Sequence, residues 1–296
     1  MLEFRVIDIK DKERITSALN ISQFMGCEYS FSNNMAWRRL ADSKIAFYKD
    51  FYICCSFASE DGIPRFFLPS GEGSYREVIS VMKQYAASLG KPLRVSGVTD
   101  SSLEMLSELY PDGFTVDTDD GDWDYIYSSA DLIELPGRKY HSKRNHLARF
   151  NEIGAEFSLM TEKDFDDCIT FSAIEYNNKA NMSDHSFIAE QFAINTYFNY
   201  FNELGLTGGV IRIGGNVAAF TIGDRLNDET FCVHIEKADT NYNGIYAGIN
   251  NSFSKAAAVG YKYINREEDL GLEGLRKSKQ SYNPAFLLKK YTVTFK

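Results

Sequence analysis

Nothing in the chain approaches the ~20-residue apolar run that crosses a bilayer as a helix, so no transmembrane segment is expected. The first residues, MLEFRVIDIKDKER, carry acids and no central apolar stretch, which argues against a secretory leader. Cysteines are few and odd in number: Cys27, Cys54, Cys55, Cys168 and Cys232. No CxxC spacing occurs, which excludes a zinc knuckle or a disulfide framework and fits reduced thiols in a cytoplasmic setting. Basic charge is also short. Lys plus Arg total 32 against 41 Asp plus Glu, a net charge of −9. Such a chain does not coat DNA, because counterion release needs basic charge. The P-loop, GxGxxG, GxSxG and HExxH patterns are all missing. No phosphate-cradling, nucleophile-elbow or metal motif is therefore available, and no metal is expected.

What is present is an ordinary globular composition, 44% hydrophobic and 25% charged, over 296 residues. That length suits two domains. The pattern reads as mixed α/β throughout. A helix is expected over residues 11–20, then two strands within 44–57 joined near Lys49–Asp50, and a strand at 64–69. Ser74 precedes a helix over 75–89, with Glu77 at the spacing of a capping box. Gly90, a short strand at 93–96, a helix to Leu109 and strands at 114–116 and 123–128 follow. The second half is expected to have helices at 164–178 and 186–204, and a hairpin of 207–213 and 217–224 about Gly214–Gly215. A strand at 230–236, a helix at 244–260, a strand at 261–264, a short helix at 272–278 and a strand at 287–295 complete it. Residues 75–109 and 244–278 share one order: long helix, Gly, short strand, short helix. That echo suggests two related α/β halves, divided within residues 135–150 into domains 1–150 and 151–296.

Four places can carry chemistry. Between Arg138 and Arg149 lie five cations (Arg138, Lys139, Lys143, Arg144, Arg149) and no acid. On a helix these form a face suited to phosphate, or a solvated face balancing the acidic bulk. Residues 265–279, NREEDLGLEGLRKSK, bring Glu267, Glu268 and Asp269 to a strand end, with Arg276, Lys277 and Lys279 on the following helix. A strand's carboxyl end faces the ligand crevice of an open α/β sheet. Acids and cations there suit proton transfer and anion binding, or simply complement a helix dipole. The loop at 240–247 sets Asn241 and Gly244 before a helix, which admits a phosphate or is an ordinary strand-to-helix turn. His234 and Glu236 alternate on one strand as a base with its orienter or as a polar cross-strand pair.

The segment Asn265–Pro284, N-R-E-E-D-L-G-x-x-G-L-R-x-x-K-x-S-Y-x-P, resembles the C-terminal signature of the soluble domain of phosphatidylglycerol lysyltransferases. Tyr140–Asn145, with its KRN, is similar to the basic helix joining the two halves in that group. The resemblance implies an α/β fold of two tandem GNAT-like (N-acetyltransferase type) domains, the second carrying the active site. It implies transfer of an acyl or aminoacyl group, from aminoacyl-tRNA or acyl-CoA, onto a hydroxyl or amine in a cleft between the halves. The acceptor would be a small molecule or lipid head group, tRNA would be the donor's carrier, and no cofactor would be tightly bound. Glu268 or Asp269 would orient or deprotonate the acceptor, and Arg276 and Lys279 would hold an anionic group. Lys143, Arg144 and Asn145 would meet phosphate, with Asn241, Gly244 and Asn265 lining the substrate. Asn241 and Tyr246 depart from the Q/RxxGxG/A loop that holds coenzyme A, which favours an aminoacyl-tRNA or another acyl donor over acetyl-CoA. A ligand-binding protein of the same fold without catalysis is the rival expectation. An interaction role for the aromatic stripe at 197–201 is weaker than its reading as core.

Overall fold

The computed structural model describes residues 2–59, 61–179 and 185–296. In chain order its strands are β1 (Ser43–Tyr48), β2 (Phe51–Ser56), β3 (Arg65–Phe67), β4 (Arg94–Val98), β5 (Phe114–Asp117), β6 (Asp124–Ser128) and β7 (Ala155–Leu159). They continue with β8 (Thr207–Ile213), β9 (Asn216–Arg225), β10 (Thr230–Ala238), β11 (Tyr263–Asn265), β12 (Phe286–Leu288) and β13 (Tyr291–Phe295). Two mixed sheets result. One runs β1-β2-β3-β4-β13-β5 and the other β12-β6-β11-β10-β9-β8-β7. No helix among the described residues is long and apolar enough to cross a membrane.

The chain forms two compact units. The first comprises Met1–Asp124, Glu268–Leu272 and Leu288–Lys296; the second comprises Tyr125–Glu267 and Glu273–Leu287. Where the sequence suggests a division at residue 150, the units part after Asp124. The physical reason is an exchange of strands. β13, the last strand, inserts between β4 and β5 of the first sheet, whereas β6 pairs with β11 in the second. The helix His141–Glu152, counted with the first half on sequence grounds, lies in the second unit.

Local chemistry sets the elements of the first unit. Lys49 takes a left-handed φ of 51° between β1 and β2. β2 is buried from Phe51 to Cys55, which its run of apolar residues requires at the centre of a sheet. Ser74 caps the helix Tyr75–Ser88 by accepting the Glu77 N–H at 3.3 Å. The capping box is not completed, because the Glu77 carboxylate instead accepts from Tyr48 Oη (2.7 Å) and Lys49 Nζ (2.6 Å). That helix buries Val78, Ile79, Met82 and Ala86.

In the second unit the expected helix over 186–204 ends at Asn199, and a short turn, Phe201–Leu204, follows. The expected strand at 287–295 is two strands in different sheets. Helices Phe31–Trp37 and Ser129–Glu134 and strand β7, not anticipated, complete the outline. The echo between halves is topological. A parallel pair, β3 with β4 or β10 with β11, brackets a crossover helix, Tyr75–Ser88 or Ile245–Ala257. The helix Ile245–Ala257 packs on His141–Glu152 at very short range. A Cβ on Gly244 would lie 2.1 Å from the His146 carbonyl oxygen, and one on Gly248 would lie 2.4 Å from the Phe150 ring.

Candidate functional site

The second sheet opens where β10 and β11 part. These parallel strands pair only through Thr230–Tyr263, Phe231–Ile264 and Cys232–Asn265. β11 then stops, while β10 continues to Ala238 alongside β9 alone. An open edge at the carboxyl ends of parallel strands is where α/β sheets place ligands. Register with β9 also shifts between Val233 and Ile235, putting a bulge at His234.

Charged side chains converge at this opening. Arg266, one residue past β11, donates from Nη2 to Glu236 Oε1 at 2.9 Å, and each side chain is 11% exposed. Burial works against the guanidinium charge, and Glu236 more than restores it. Arg266 Nη1 is buried and has no hydrogen-bond partner. The guanidinium carbon lies 5.6 Å from the Tyr127 ring centroid and 4.9 Å from that of Tyr282. Lys143 reaches the same Tyr282 ring, its Nζ 3.6 Å from the centroid and 2.6 Å from Ser281 Oγ. Burial, aided by Arg266, brings the Lys143 pKa down to about 8 against the pull of Glu236.

Beneath them His234 bridges two carboxylates, with Nε2 2.9 Å from Asp224 Oδ1 and Nδ1 2.9 Å from Glu267 Oε1. Tyr197 stacks on the imidazole, with centroids 5.6 Å apart and planes 12° from parallel. Burial opposes the imidazolium, but Tyr197, Cys232 and the hydrogen-bonded Asp224 outweigh it and raise the pKa well above that of ordinary histidine. Cys232, His234 and Glu267 place sulfur, nitrogen and oxygen ligand atoms within 4.8 Å of one another, a composition that could hold a metal.

A separate charge cluster lies in the first unit. Lys290 Nζ sits 2.6 Å from Asp124 Oδ1, 2.8 Å from Glu28 Oε2 and 3.5 Å from Cys27 Sγ. Cys27 also donates its N–H to Asp124 (2.8 Å) and places Sγ 3.3 Å from Glu268 Oε2. Burial pushes the Glu28 carboxyl up against the pull of Lys290. Cys27, Asp124 and Glu268 could also gather a cation, but here the Lys290 ammonium takes that place.

The residues picked out in the sequence are thus distributed among distinct roles. Glu268 belongs to the Lys290 cluster. Asp269 is fully buried and its carboxylate accepts the Gly271 N–H at 2.8 Å, shaping the turn. Asn265 does the same for Glu267 N–H at 2.7 Å. Lys279 donates to the carbonyls of Arg266 (2.7 Å) and Glu267 (3.2 Å), pinning the helix Glu273–Gln280 to the strand end. Arg276 is half-buried on that helix. Arg144 braces the carbonyls of Leu135 (2.5 Å) and Gly137 (2.7 Å), and Asn145 meets His141 on its own helix at 3.3 Å. Asn241 is exposed and its N–H is held by Asp239 at 2.9 Å. Gly244 has a left-handed φ of 85° and faces the His146 carbonyl. Of these, Lys143 joins the opening through its side chain. His234 and Glu236, read as one pair, have different partners because the bulge interrupts the alternation between them.

Arg266 stood inside the segment NREED, and its position one residue after a strand end was the signal for it. Asp224, Tyr197, Cys27, Asp124 and Lys290 had no local signal, since their partners are distant in sequence.

The C-terminal family of phosphatidylglycerol lysyltransferases matches residues 19–294. The chain belongs to that family. A conserved protein of unknown function from Bacteroides thetaiotaomicron VPI-5482 is 36% identical with a TM-score of 0.94, over the whole of both chains. L-PGS from Bacillus licheniformis is 15% identical with a TM-score of 0.69, covering 96% of this chain and 92% of that one. An acetyltransferase of the GNAT family from Colwellia psychrerythraea matches all of both chains at 13% identity and a TM-score of 0.53. No curated protein sequence matches. This member of the lysyltransferase family therefore has the tandem GNAT-like architecture, one mixed sheet to each half.

Proposed function

We propose that the protein is an aminoacyltransferase, with its reacting centre at the parting of β10 and β11. The observation that carries this reading is the open edge of β10 beyond Cys232, lined by Glu236 and Arg266, in a chain of the lysyltransferase family. An aminoacyl ester lies along that edge as an added extended strand would, its carbonyl meeting main-chain N–H groups. A hydroxyl or amine of the acceptor attacks the carbonyl carbon. The new bond forms as the ester C–O bond breaks, Glu236 takes the acceptor's proton, and the leaving hydroxyl recovers it. Arg266 orients Glu236, and the Asp224–His234–Glu267 chain holds the strand end in place.

The donor is aminoacyl-tRNA rather than acyl-CoA. The departures at Asn241 and Tyr246 support this, as does the packing of Gly244 against His146 where a pyrophosphate would otherwise approach. The acceptor is a small molecule or lipid head group met in the cytoplasm. Purified protein incubated with charged tRNA pools, or with acetyl-CoA, should consume the former. Glu236→Gln should lower the rate by about 10²–10⁴-fold, the span of general-base catalysis. Donor loss that is equal with and without protein, across all charged tRNAs, would refute the reading.

A further inference from the structure

Above the Asp224–His234–Glu267 chain, the opening sets two cations against one carboxylate. Arg266 and Lys143 both lie over the Tyr282 ring, at 4.9 and 3.6 Å from its centroid. One carboxylate, Glu236, pairs with Arg266. Among the described residues, Lys143 hydrogen-bonds the neutral Ser281 hydroxyl and no carboxylate. Arg266 Nη1 remains buried without a partner, an arrangement native proteins rarely keep without a purpose. Like charges at close range, one of them unsatisfied, are costly in isolation and favourable around an anion. The site is also graded toward solvent. Ser281 is exposed, Lys143 is half-buried above Tyr282, and Arg266 lies at the base. A ligand's negative group can thus enter past Lys143 and end on Arg266.

We infer that Arg266 Nη1 and Lys143 Nζ, set over Tyr282, form a subsite for a phosphate group of the ligand. The donor geometry suits a phosphate. Carboxylate and phosphate both use the two-pronged fork of a guanidinium where it is free, and here Nη2 is already given to Glu236. What remains is one donor nitrogen on each of two residues, which separate oxygens of a tetrahedral group can meet individually. One phosphodiester charge balances the sum of Arg266, Lys143 and Glu236.

This inference rests on the reading of the opening as a transferase's ligand site, but its test is binding alone. Transfer could fail while phosphate binds, and phosphate could fail to bind while transfer proceeds. The full chain is titrated by calorimetry and thermal shift with inorganic phosphate, with glycerophosphoglycerol as a soluble head-group diester, and with acetate. Saturable binding of phosphate or of the diester is expected, the diester tighter if the source is a lipid head group. Lys143→Gln and Arg266→Lys should each weaken it at least tenfold. Arg266→Lys keeps a cation beside Glu236, and Lys143→Gln alters a partly exposed side chain, so at least one variant remains folded. Lys277→Gln, at an exposed residue paired with Glu273 on its own helix, should bind as wild type does. Absence of saturable binding, acetate binding as tightly as phosphate, or unchanged affinity in both Lys143→Gln and Arg266→Lys would each overturn the assignment.

Discussion

Lys290 shows how much one buried charge can decide. Its ammonium is enclosed by Asp124, Glu28 and Cys27, and although burial opposes the charge, those neighbours hold its pKa well above the usual lysine value. Removing one member of such a group strands the others, so Lys290→Met should cost about 3–5 kcal/mol in urea unfolding. A raised folded pKa contributes fully below the unfolded value of 10.5 and is lost only as pH climbs through the folded one. The contribution of the Lys290 ammonium's own titration to wild-type stability should therefore be flat from pH 7 to about pH 10, as the pH dependence of urea unfolding checks. Lys143 has the opposite sign. Its folded pKa of about 8 lies below 10.5, so the unfolded chain binds more protons between those values and stability rises with pH there. Relative to Lys143→Gln, the wild-type melting temperature should climb across that window, and a parallel pair of pH profiles would contradict the buried placement of Lys143.

At the scale of elements, glycines and caps place the helices that frame the opening. Gly244 enters the helix Ile245–Ala257 with φ 85°, and any Cβ there meets the His146 carbonyl. Gly244→Ala combines left-handed strain of about 1–2 kcal/mol with a backbone clash, and should lower the melting temperature by several degrees. Ser74→Ala should cost only about 1 kcal/mol, because one helix N–H loses its acceptor while Glu77 keeps its contacts with Tyr48 and Lys49. Chemical denaturation of both variants checks the order of the two effects. The sheet opening is itself an element-level property. Neither β10 nor β11 has an unusual composition, and the gap exists because β11 stops at Asn265 while β10 runs on.

The whole molecule cannot be divided by one cut. β13 fills the interior of the first sheet from the far end of the chain, and β6 belongs to the second sheet. A fragment of residues 1–150 lacks the strand between β4 and β5, and one of residues 151–296 lacks β6 beside β11. Each should be largely unfolded by circular dichroism and amide exchange, whereas removing residues 288–296 alone should already abolish cooperative unfolding of the first sheet. Two stable, separately folded fragments would show the exchange to be dispensable.

Periodicity and punctuation carried most of the elements. The Ser74 helix, the Lys49 hairpin and the repeated order of helix, glycine and strand are written locally, in residues that touch their near neighbours. The segment Asn265–Pro284 likewise placed the family, because a linear motif survives without knowledge of its surroundings. What local pattern could not contain was partnership across sequence distance. It could not show that Lys290 closes on Cys27, that Lys143 and Arg266 both lie over Tyr282, or that Lys279 is taken up by backbone carbonyls. Those pairings depend on chain crossings and strand exchange, and burial then converts them from ordinary surface charges into strongly interacting groups.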